Sequence, residues 1–377
     1  MQTSANTVVK QVSPRTSVHL LLIALILVLG SYFVIKHRIF VKDSFNNMLL
    51  VFFSWATVVD FFNGVPVWSV ATHVGLLVLF FLMYYFVSQY CDREEVYQRL
   101  IVIETVLWII TTFYAVKAYL NYRSFYGGMS GTPVLNMAYN MLVFLPVLVQ
   151  IGKPRLRGIA IIITVLYIII SLKRGAIITL AVMAVSYWLV AIKNGDSIHI
   201  KRNHLIIILL SIIGFVLMVY EINNSTGGAL FERFSYESLK YGSNRNTIYS
   251  SAVSEIKQRS FFSLLIGTGS GSTSVLIGSG AHNEVLEIVI SYGFIGVIMY
   301  FSMIIKGILQ YYELKRCTTN KRMLGVYAMS LCYIVSVGVF GSALFSHMSF
   351  HIMVSLGISV AFIHSGLYRT KHEGDQI

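Results

Sequence analysis

The sequence contains few charged residues. Asp, Glu, Lys and Arg together make up 12% of its 377 residues, whereas hydrophobic residues make up 56%. A water-soluble fold of this composition would have too few polar side chains to cover its surface. A lipid bilayer removes that need, because it solvates an apolar exterior. The composition therefore excludes an ordinary soluble protein and predicts an all-α, polytopic integral membrane protein.

Both Cys and Asp are missing from the long, more polar segment at residues 221–281. Without cysteine, that segment needs no disulfide. Without Asp or closely paired carboxylates, it lacks the usual oxygen ligands of a divalent metal. Elsewhere, His347 and His351 are spaced to share a helix face, but no third ligand of matching spacing accompanies them. We therefore expect neither a bound metal nor another cofactor.

Long apolar runs recur along the rest of the chain. We predict about eleven transmembrane helices (between ten and twelve) from runs of roughly 17 to 25 residues, each able to cross about 30 Å of hydrocarbon. The predicted spans are Val18–Ile35, Phe45–Phe62, Val67–Gln89, Leu100–Leu120, Pro133–Gln150, Leu156–Ser171, Gly175–Ile192, His204–Tyr220, Val285–Lys306, Met323–Phe345 and Met348–Tyr368. They divide the chain into N-terminal helices (residues 1–220), one large loop carrying site residues (residues 221–283) and C-terminal helices (residues 284–377).

The positions of Lys and Arg predict the orientation, because cytoplasmic connections keep positive charge. Eighteen of the 29 fall in alternate connections, which we place in the cytoplasm, so that the long loop faces outside. Eleven spans with a cytoplasmic C terminus would put the N terminus outside, in conflict with Lys10 and Arg15. The formal net charge of +13 reflects this rule and attraction to lipid headgroups, or partly the binding of an anionic substrate. With so little soluble mass, we expect no nucleic-acid partner.

The long loop contains three distinct features. Apolar residues at Ile248, Ala252 and Ile256 predict an amphipathic helix at the membrane surface. The glycine-rich run from Ile266 to Ser272 is either a flexible turn or a cradle of backbone N–H groups for an anion. Four polar residues then crowd the first turn of the next span, where polar groups are costly unless they serve a site. They are His282, Asn283, Glu284 and Glu287.

Four short motifs occur in order between Ser171 and Phe301. They are Ser171-Leu-Lys-Arg-Gly-Ala176 with Ile178 four residues after Arg174, Asn244-Arg245-Asn246 followed by Tyr249, Gly267-Thr-Gly-Ser-Gly271, and His282-Asn283 with ten residues between His282 and Gly293. In order and spacing they resemble the O-antigen ligase and O-antigen or capsule polymerase superfamily of bacterial membrane glycosyltransferases. Ile178 stands where that family has Leu. The first 150 residues are similar only as a hydrophobic pattern.

The resemblance implies a GT-C-like fold in the bacterial inner (cytoplasmic) membrane and an enzyme that joins repeat units into O-antigen, capsule or exopolysaccharide. It implies an undecaprenyl-diphosphate-linked oligosaccharide as donor, with membrane lipids and a chain-length regulator protein as further partners. Transfer would be metal-independent, and direct attack by the acceptor would invert the anomeric centre.

The same resemblance implies roles for particular residues. Arg174 and Arg245 would bind the diphosphate leaving group, and His282 would act as general base. Further substrate-binding residues are Lys173, Asn283, Glu287, Glu221, Gly267 and Gly269. The ordinary alternatives are interfacial snorkelling for Lys173 and Arg174, and helix capping or packing for His282.

Two other functions stay open. A ligase that moves finished glycan onto lipid A-core would share the fold and the site. A flippase or transporter of polysaccharide intermediates would need more buried charge and paired half-helices within the spans, and Glu104 is the main carboxylate in mid-span.

Overall fold

The computed structural model describes residues 43–91, 93–126, 135, 137–192, 219–221, 223–224, 227–232, 234–235, 245–318, 320–341, 343–344 and 347–374. Within these ranges most residues are helical and no strand occurs, which confirms the all-α class. The helices are α1 (Ser44–Phe62), α2 (Val67–Tyr90), α3 (Glu94–Tyr126), α4 (Met137–Leu142), α5 (Leu145–Leu148), α6 (Pro154–Ile170), α7 (Arg174–Tyr187, continued by a π-helical turn at Trp188–Ile192), α8 (Ala229–Glu232), α9 (Arg245–Gln258), α10 (Phe261–Ile266), α11 (Ser272–Ile277), α12 (Glu284–Cys317), α13 (Lys321–Phe340) and, after a 3₁₀ turn at His347–Ser349, α14 (Phe350–Gly374).

Five segments in the described ranges are long and apolar enough to cross a membrane: Ser44–Phe62, Glu94–Asn121, Arg174–Ala191, Glu284–Cys317 and Lys321–Phe340. Shorter apolar helices occur at Val78–Gln89, Met137–Leu148 and Phe350–Ile363. The chain is therefore an α-helical protein with several helices suited to a membrane. Two predicted spans, Val18–Ile35 and all but the end of His204–Tyr220, lie outside the described residues, so the total of eleven stays a prediction.

Side-chain caps fix where the principal helices begin. Asp43 accepts a hydrogen bond from the Asn46 amide (3.0 Å) before α1. Asn320 accepts one from the Met323 amide (3.1 Å) before α13. Each cap satisfies one of the amides that a helix start leaves without a partner. The predicted span Pro133–Gln150 was wrong as a continuous helix, because a turn at residues 143–144 separates α4 from α5.

The helices pack so that the loops between them lie at two opposite ends of the bundle. The α13 helix packs against α7 and α14, while α12 packs against α1. At one end the Leu135 amide donates to the Ser171 carbonyl oxygen (3.2 Å). At the opposite end Arg322 donates to the Val149 carbonyl oxygen. Each contact joins two connections that the Lys and Arg pattern assigns to the same side of the membrane.

A buried polar network ties four helices together. Gln310 donates from Nε2 to Asp43 Oδ2 (2.7 Å) and accepts at Oε1 from the Tyr327 hydroxyl (3.0 Å). The Tyr84 hydroxyl donates to the same Asp43 oxygen. These side chains come from α12, α13, α2 and the cap of α1, so their hydrogen bonds fix how the helices sit together in an apolar interior.

Helix α12 is interrupted at Gly293, whose φ of 69° and ψ of −173° are not helical. A Cβ there would lie 2.3 Å from the Leu265 carbonyl oxygen, so only glycine fits. The carbonyl groups that the break releases find partners elsewhere. Ile290 accepts from Arg259 Nη1 (2.7 Å), Ser291 from the Gly269 amide (2.8 Å) and Tyr292 from Trp55 Nε1 (2.9 Å). The hydrogen bonds to these carbonyl groups thus connect α12 to α1 and to the long loop at the break.

Candidate functional site

Four segments that are distant in sequence meet at one end of the bundle, where α7, α9 and α12 begin and α13 ends. Arg245, the first residue of α9, donates from Nη2 to the Phe340 carbonyl oxygen (3.0 Å). Asn283, the N-cap of α12, donates from Nδ2 to the Val339 carbonyl oxygen (3.2 Å). These two bonds bring the loop arginine and the His-Asn motif to the same helix end. We call this region the cationic cluster, defined by Tyr139, Lys173, Arg245, His282 and Glu287.

Tyr139 of α4 connects the two basic residues of the cluster. The Lys173 ammonium lies 5.8 Å from the centre of its ring, within the range of a cation–π interaction. The Arg245 guanidinium lies beside its hydroxyl group. Sequence reasoning missed Tyr139, since it is one of several aromatic residues in an apolar segment and no motif marks it.

Gly175 lets α7 approach this tyrosine closely. A Cβ at Gly175 would lie 2.1 Å from the Tyr139 hydroxyl oxygen and 2.8 Å from Phe340 Cβ. A side chain at this position would therefore push apart two residues that border the cluster. The glycine of the Lys-Arg-Gly motif is explained by this packing.

His282 lies just before α12 in the left-handed region, with a φ of 51°. Its side chain is only partly covered by the protein. Partial burial, followed by the positive charges of Arg245 and Lys173, lowers the pKa of His282 below its ordinary value, while the Glu287 carboxylate acts in the opposite direction. This shift favours the neutral imidazole, which is the form that accepts a proton.

Glu287 and Asn283 hold the backbone on both sides of His282. Glu287 accepts from the Ala281 amide at Oε1 (2.7 Å). Asn283 accepts from the Leu286 amide at Oδ1 (3.1 Å) as the α12 cap. These hydrogen bonds fix the backbone around the histidine, and substrate binding by the two side chains stays a prediction.

Glu284 lies behind the cluster and is fully buried. Its Oε1 accepts from the Leu344 amide (2.6 Å), and its Oε2 accepts from the Tyr300 hydroxyl (3.0 Å). The carboxylate thereby attaches the chain that follows α13 to the start of α12. The sequence marked Glu284 as an unusual polar residue, but no motif indicated this role.

The remaining predicted residues lie in different places. Arg174 is the first residue of α7, directly after Lys173. Glu221 is exposed, and Val219 near it packs against the Ile169–Leu172 end of α6, so this carboxylate lies at the same end of the bundle. The structure thus brings the predicted basic and acidic residues to one end.

Gly267 and Gly269 lie beside the α12 break. The amides of Gly267, Thr268 and Gly269 donate to the carbonyl oxygens of Ser263, Ile290 and Ser291 at 2.9, 3.2 and 2.8 Å. The Ser270 amide donates to Asp60 Oδ1 (2.6 Å). Because these amides already have partners inside the protein, the arrangement favours a packing role over an anion cradle or a flexible turn.

Glu104, the carboxylate in mid-span, is paired with His351. Its Oε2 lies 2.6 Å from His351 Nδ1, and both side chains are 3% exposed. The His347 side chain lies outside the described part of the chain. Among the described residues no group of three or more His, Cys, Asp or Glu side chains is arranged to hold a metal ion.

No protein-family model matches this sequence, and no curated protein sequence matches it. The resemblance to the O-antigen ligase and polymerase superfamily therefore stays a prediction from the four motifs.

Proposed function

We propose that this protein is a polysaccharide polymerase, a membrane glycosyltransferase that joins undecaprenyl-diphosphate-linked repeat units on the outer side of the bacterial inner membrane. The observation that carries the proposal is the convergence of Lys173, Arg245 and His282. Three separate segments supply two cations and a neutral imidazole at the same helix ends. Their arrangement matches the needs of transfer from a lipid diphosphate.

The two cations stabilise the leaving group. In the reaction, the bond between the anomeric carbon and the diphosphate oxygen breaks, and negative charge grows on the diphosphate. Arg245 and Lys173 act on that charge, and Arg174 adjoins them on α7. Fixed cations at a water-poor membrane surface stabilise the transition state more than the ground state. This role needs no metal ion.

His282 acts as the general base. The acceptor hydroxyl oxygen attacks the anomeric carbon from the face opposite the leaving diphosphate, and the configuration inverts. The hydroxyl proton moves to the imidazole, whose pKa is lowered by partial burial and by the neighbouring cations. Glu287, on the first turn of α12, stabilises the imidazolium that forms.

Two alternative functions are a ligase and a transporter. A ligase would use the same groups with lipid A-core as acceptor. The break in α12 and the buried Glu104–His351 pair are the two observations that would fit a transporter. Transporters place broken helices and buried ionisable groups within the membrane.

Purified protein in nanodiscs, given a synthetic undecaprenyl-diphosphate repeat unit, tests the proposal. We expect longer glycans and free undecaprenyl diphosphate. Arg245→Ala should abolish most transfer, with little recovery in Arg245→Lys, because one ammonium cannot replace a two-pronged guanidinium. Lys257→Ala, at the exposed far end of α9, is the matched control and should stay active.

Two other outcomes would contradict the proposal. Transfer only to lipid A-core would identify a ligase. A folded protein that forms no glycosidic bond, yet moves the lipid-linked unit across a vesicle membrane, would identify a transporter.

A further inference from the structure

The long loop carries a helix–turn–helix segment formed by α10, the glycine turn and α11 (residues 261–277), which we call the hairpin; both of its helices pack against α12. Between Glu287 and Lys306, α12 has 18 residues without charge. At about 1.5 Å per residue they span about 27 Å, close to the hydrocarbon thickness of a bilayer. Gly293 lies about 9 Å into that stretch. The Leu265 carbonyl of α10 packs against Gly293, and the Thr268 amide donates to the Ile290 carbonyl (3.2 Å).

The hairpin has the polarity of a lipid-facing element. Its apolar side chains point outward, since Phe261 is 74% exposed, Phe262 71% and Val275 84%. Two of its polar side chains are buried, with Ser270 8% exposed and Thr273 only 1%, whereas Ser274 is exposed. In water this distribution would leave a large apolar surface solvated. In hydrocarbon it is the favourable one.

The neighbouring helix α9 shows the opposite distribution. Its side chains at Thr247, Ser254 and Lys257 are exposed, whereas Ala252 is fully buried. This is the pattern of a helix with one face in water. The long loop thus contains one helix whose exposed side chains are mainly polar and a hairpin whose large exposed side chains are apolar.

The apolar face of the hairpin continues onto a membrane helix. Asp60 and Asn63, at the end of α1, contact the glycine turn through the Ser270 amide (2.6 Å) and the Gly267 carbonyl (3.5 Å). Beside them on α1, Phe61 and Phe62 are also exposed. Irregular backbone at membrane depth is tolerated where it is buried in protein, and the turn amides are bonded to α12 and Asp60.

We propose that the hairpin is a re-entrant element embedded in one leaflet of the bilayer, with Phe261, Phe262 and Val275 in contact with lipid acyl chains. This inference is independent of the proposed transferase activity. It adds to the sequence-based prediction that the loop at residues 221–281 faces outside, by placing part of that loop in the outer leaflet.

Spin labels provide the test. In a background with Cys91→Ala, Cys317→Ser and Cys332→Ala, single cysteines replace Phe262 or Val275, and Ser254 of α9 is the control position. Each labelled protein is placed in liposomes, and collisions with oxygen and with a water-soluble nickel chelate are measured. We expect oxygen to dominate several-fold at positions 262 and 275, and the chelate to dominate at position 254.

Two results would overturn the proposal. Chelate access at 262 and 275 equal to that at 254 would place the hairpin in water. Low access to both reagents would show that protein, and not lipid, covers it. If the cysteine-free background does not fold, Phe262→Trp in the unchanged chain replaces it, with Ser254→Trp as control. Brominated lipids must then quench the added fluorescence at 262 more than at 254, and equal quenching would contradict the inference.

Discussion

Replacing Gly175 by Ala tests the packing on which the cationic cluster depends. The added Cβ would lie 2.1 Å from the Tyr139 hydroxyl oxygen and 2.8 Å from Phe340 Cβ. Carbon atoms in contact are normally about 3.5 to 4.0 Å apart, so α7 and α13 must separate by roughly 0.7 Å or more. Overpacking of this kind costs about 1–3 kcal/mol.

The strain falls on atoms that hold the cluster together. Tyr139 carries the ring next to Lys173, and Phe340 supplies the carbonyl oxygen that accepts from Arg245. We therefore expect Gly175→Ala to lower the thermal unfolding midpoint in detergent and to reduce transfer at normal expression. The Gly175→Ala/Tyr139→Phe double variant should recover part of the lost stability, because it removes the hydroxyl but leaves the Phe340 contact.

Gly158→Ala is the matched control. Gly158 lies inside α6, and a Cβ there would have no atom within 4 Å. Alanine is favoured over glycine in a helix by about 1 kcal/mol, so this variant should unfold at the same or a higher temperature. If Gly175→Ala matched Gly158→Ala in both stability and transfer, the close approach of α7 to Tyr139 and Phe340 would be refuted.

Three further predictions concern the cluster and its side of the membrane. A single cysteine at Ser254, exposed on α9, should react with a membrane-impermeant maleimide in intact spheroplasts, and labelling only after lysis would reverse the orientation. His282→Gln keeps a hydrogen bond but cannot take the proton, so transfer from a defined lipid-linked donor should fall about 100- to 10,000-fold while donor binding persists; near-normal turnover would leave the histidine only a positioning role. Because the pKa of His282 is lowered, activity should persist to a lower pH than an unperturbed histidine would allow. The acid limb of the rate profile should move to higher pH in Lys173→Ala and to lower pH in Glu287→Gln. Shifts of the same sign in both variants would disprove the electrostatic coupling.

Much of the fold could be predicted because membrane helices have a strong local signal. The predicted spans Phe45–Phe62 and Leu156–Ser171 differ from α1 and α6 by no more than two residues at either end. Larger differences arise where the helix and the apolar run do not coincide. Helix α12 continues beyond Lys306 to Cys317, because a helix does not end where the hydrocarbon ends.

The features that sequence reasoning missed depend on contacts between distant residues. The break in α12 requires the Leu265 carbonyl at Gly293, and the space at Gly175 is set by Tyr139 and Phe340. The spacing from His282 marked Gly293 as part of a motif, but nothing in the sequence predicted that the helix breaks there. The His-Asn motif was recognisable because its residues are consecutive, whereas the role of Tyr139 exists only after folding.

Backbone strain indicates that the cluster is set before a substrate arrives. Among the described residues, Leu172 and His282 are the non-glycine residues with positive φ, and each costs about 1–3 kcal/mol in such a conformation. Leu172 directly precedes Lys173, and the Ser171 hydroxyl oxygen accepts from the Lys173 amide (3.3 Å).

The hydrogen bonds on either side of each strained residue hold it in place. His282 lies between the Ala281 amide bonded to Glu287 and the Asn283 side chain bonded to Val339. The two strained backbone positions therefore place the Lys173 ammonium and the His282 imidazole at the same end of the bundle. In the proposed transfer, fixing these groups in advance would remove the reorganisation that charge development on the diphosphate otherwise requires.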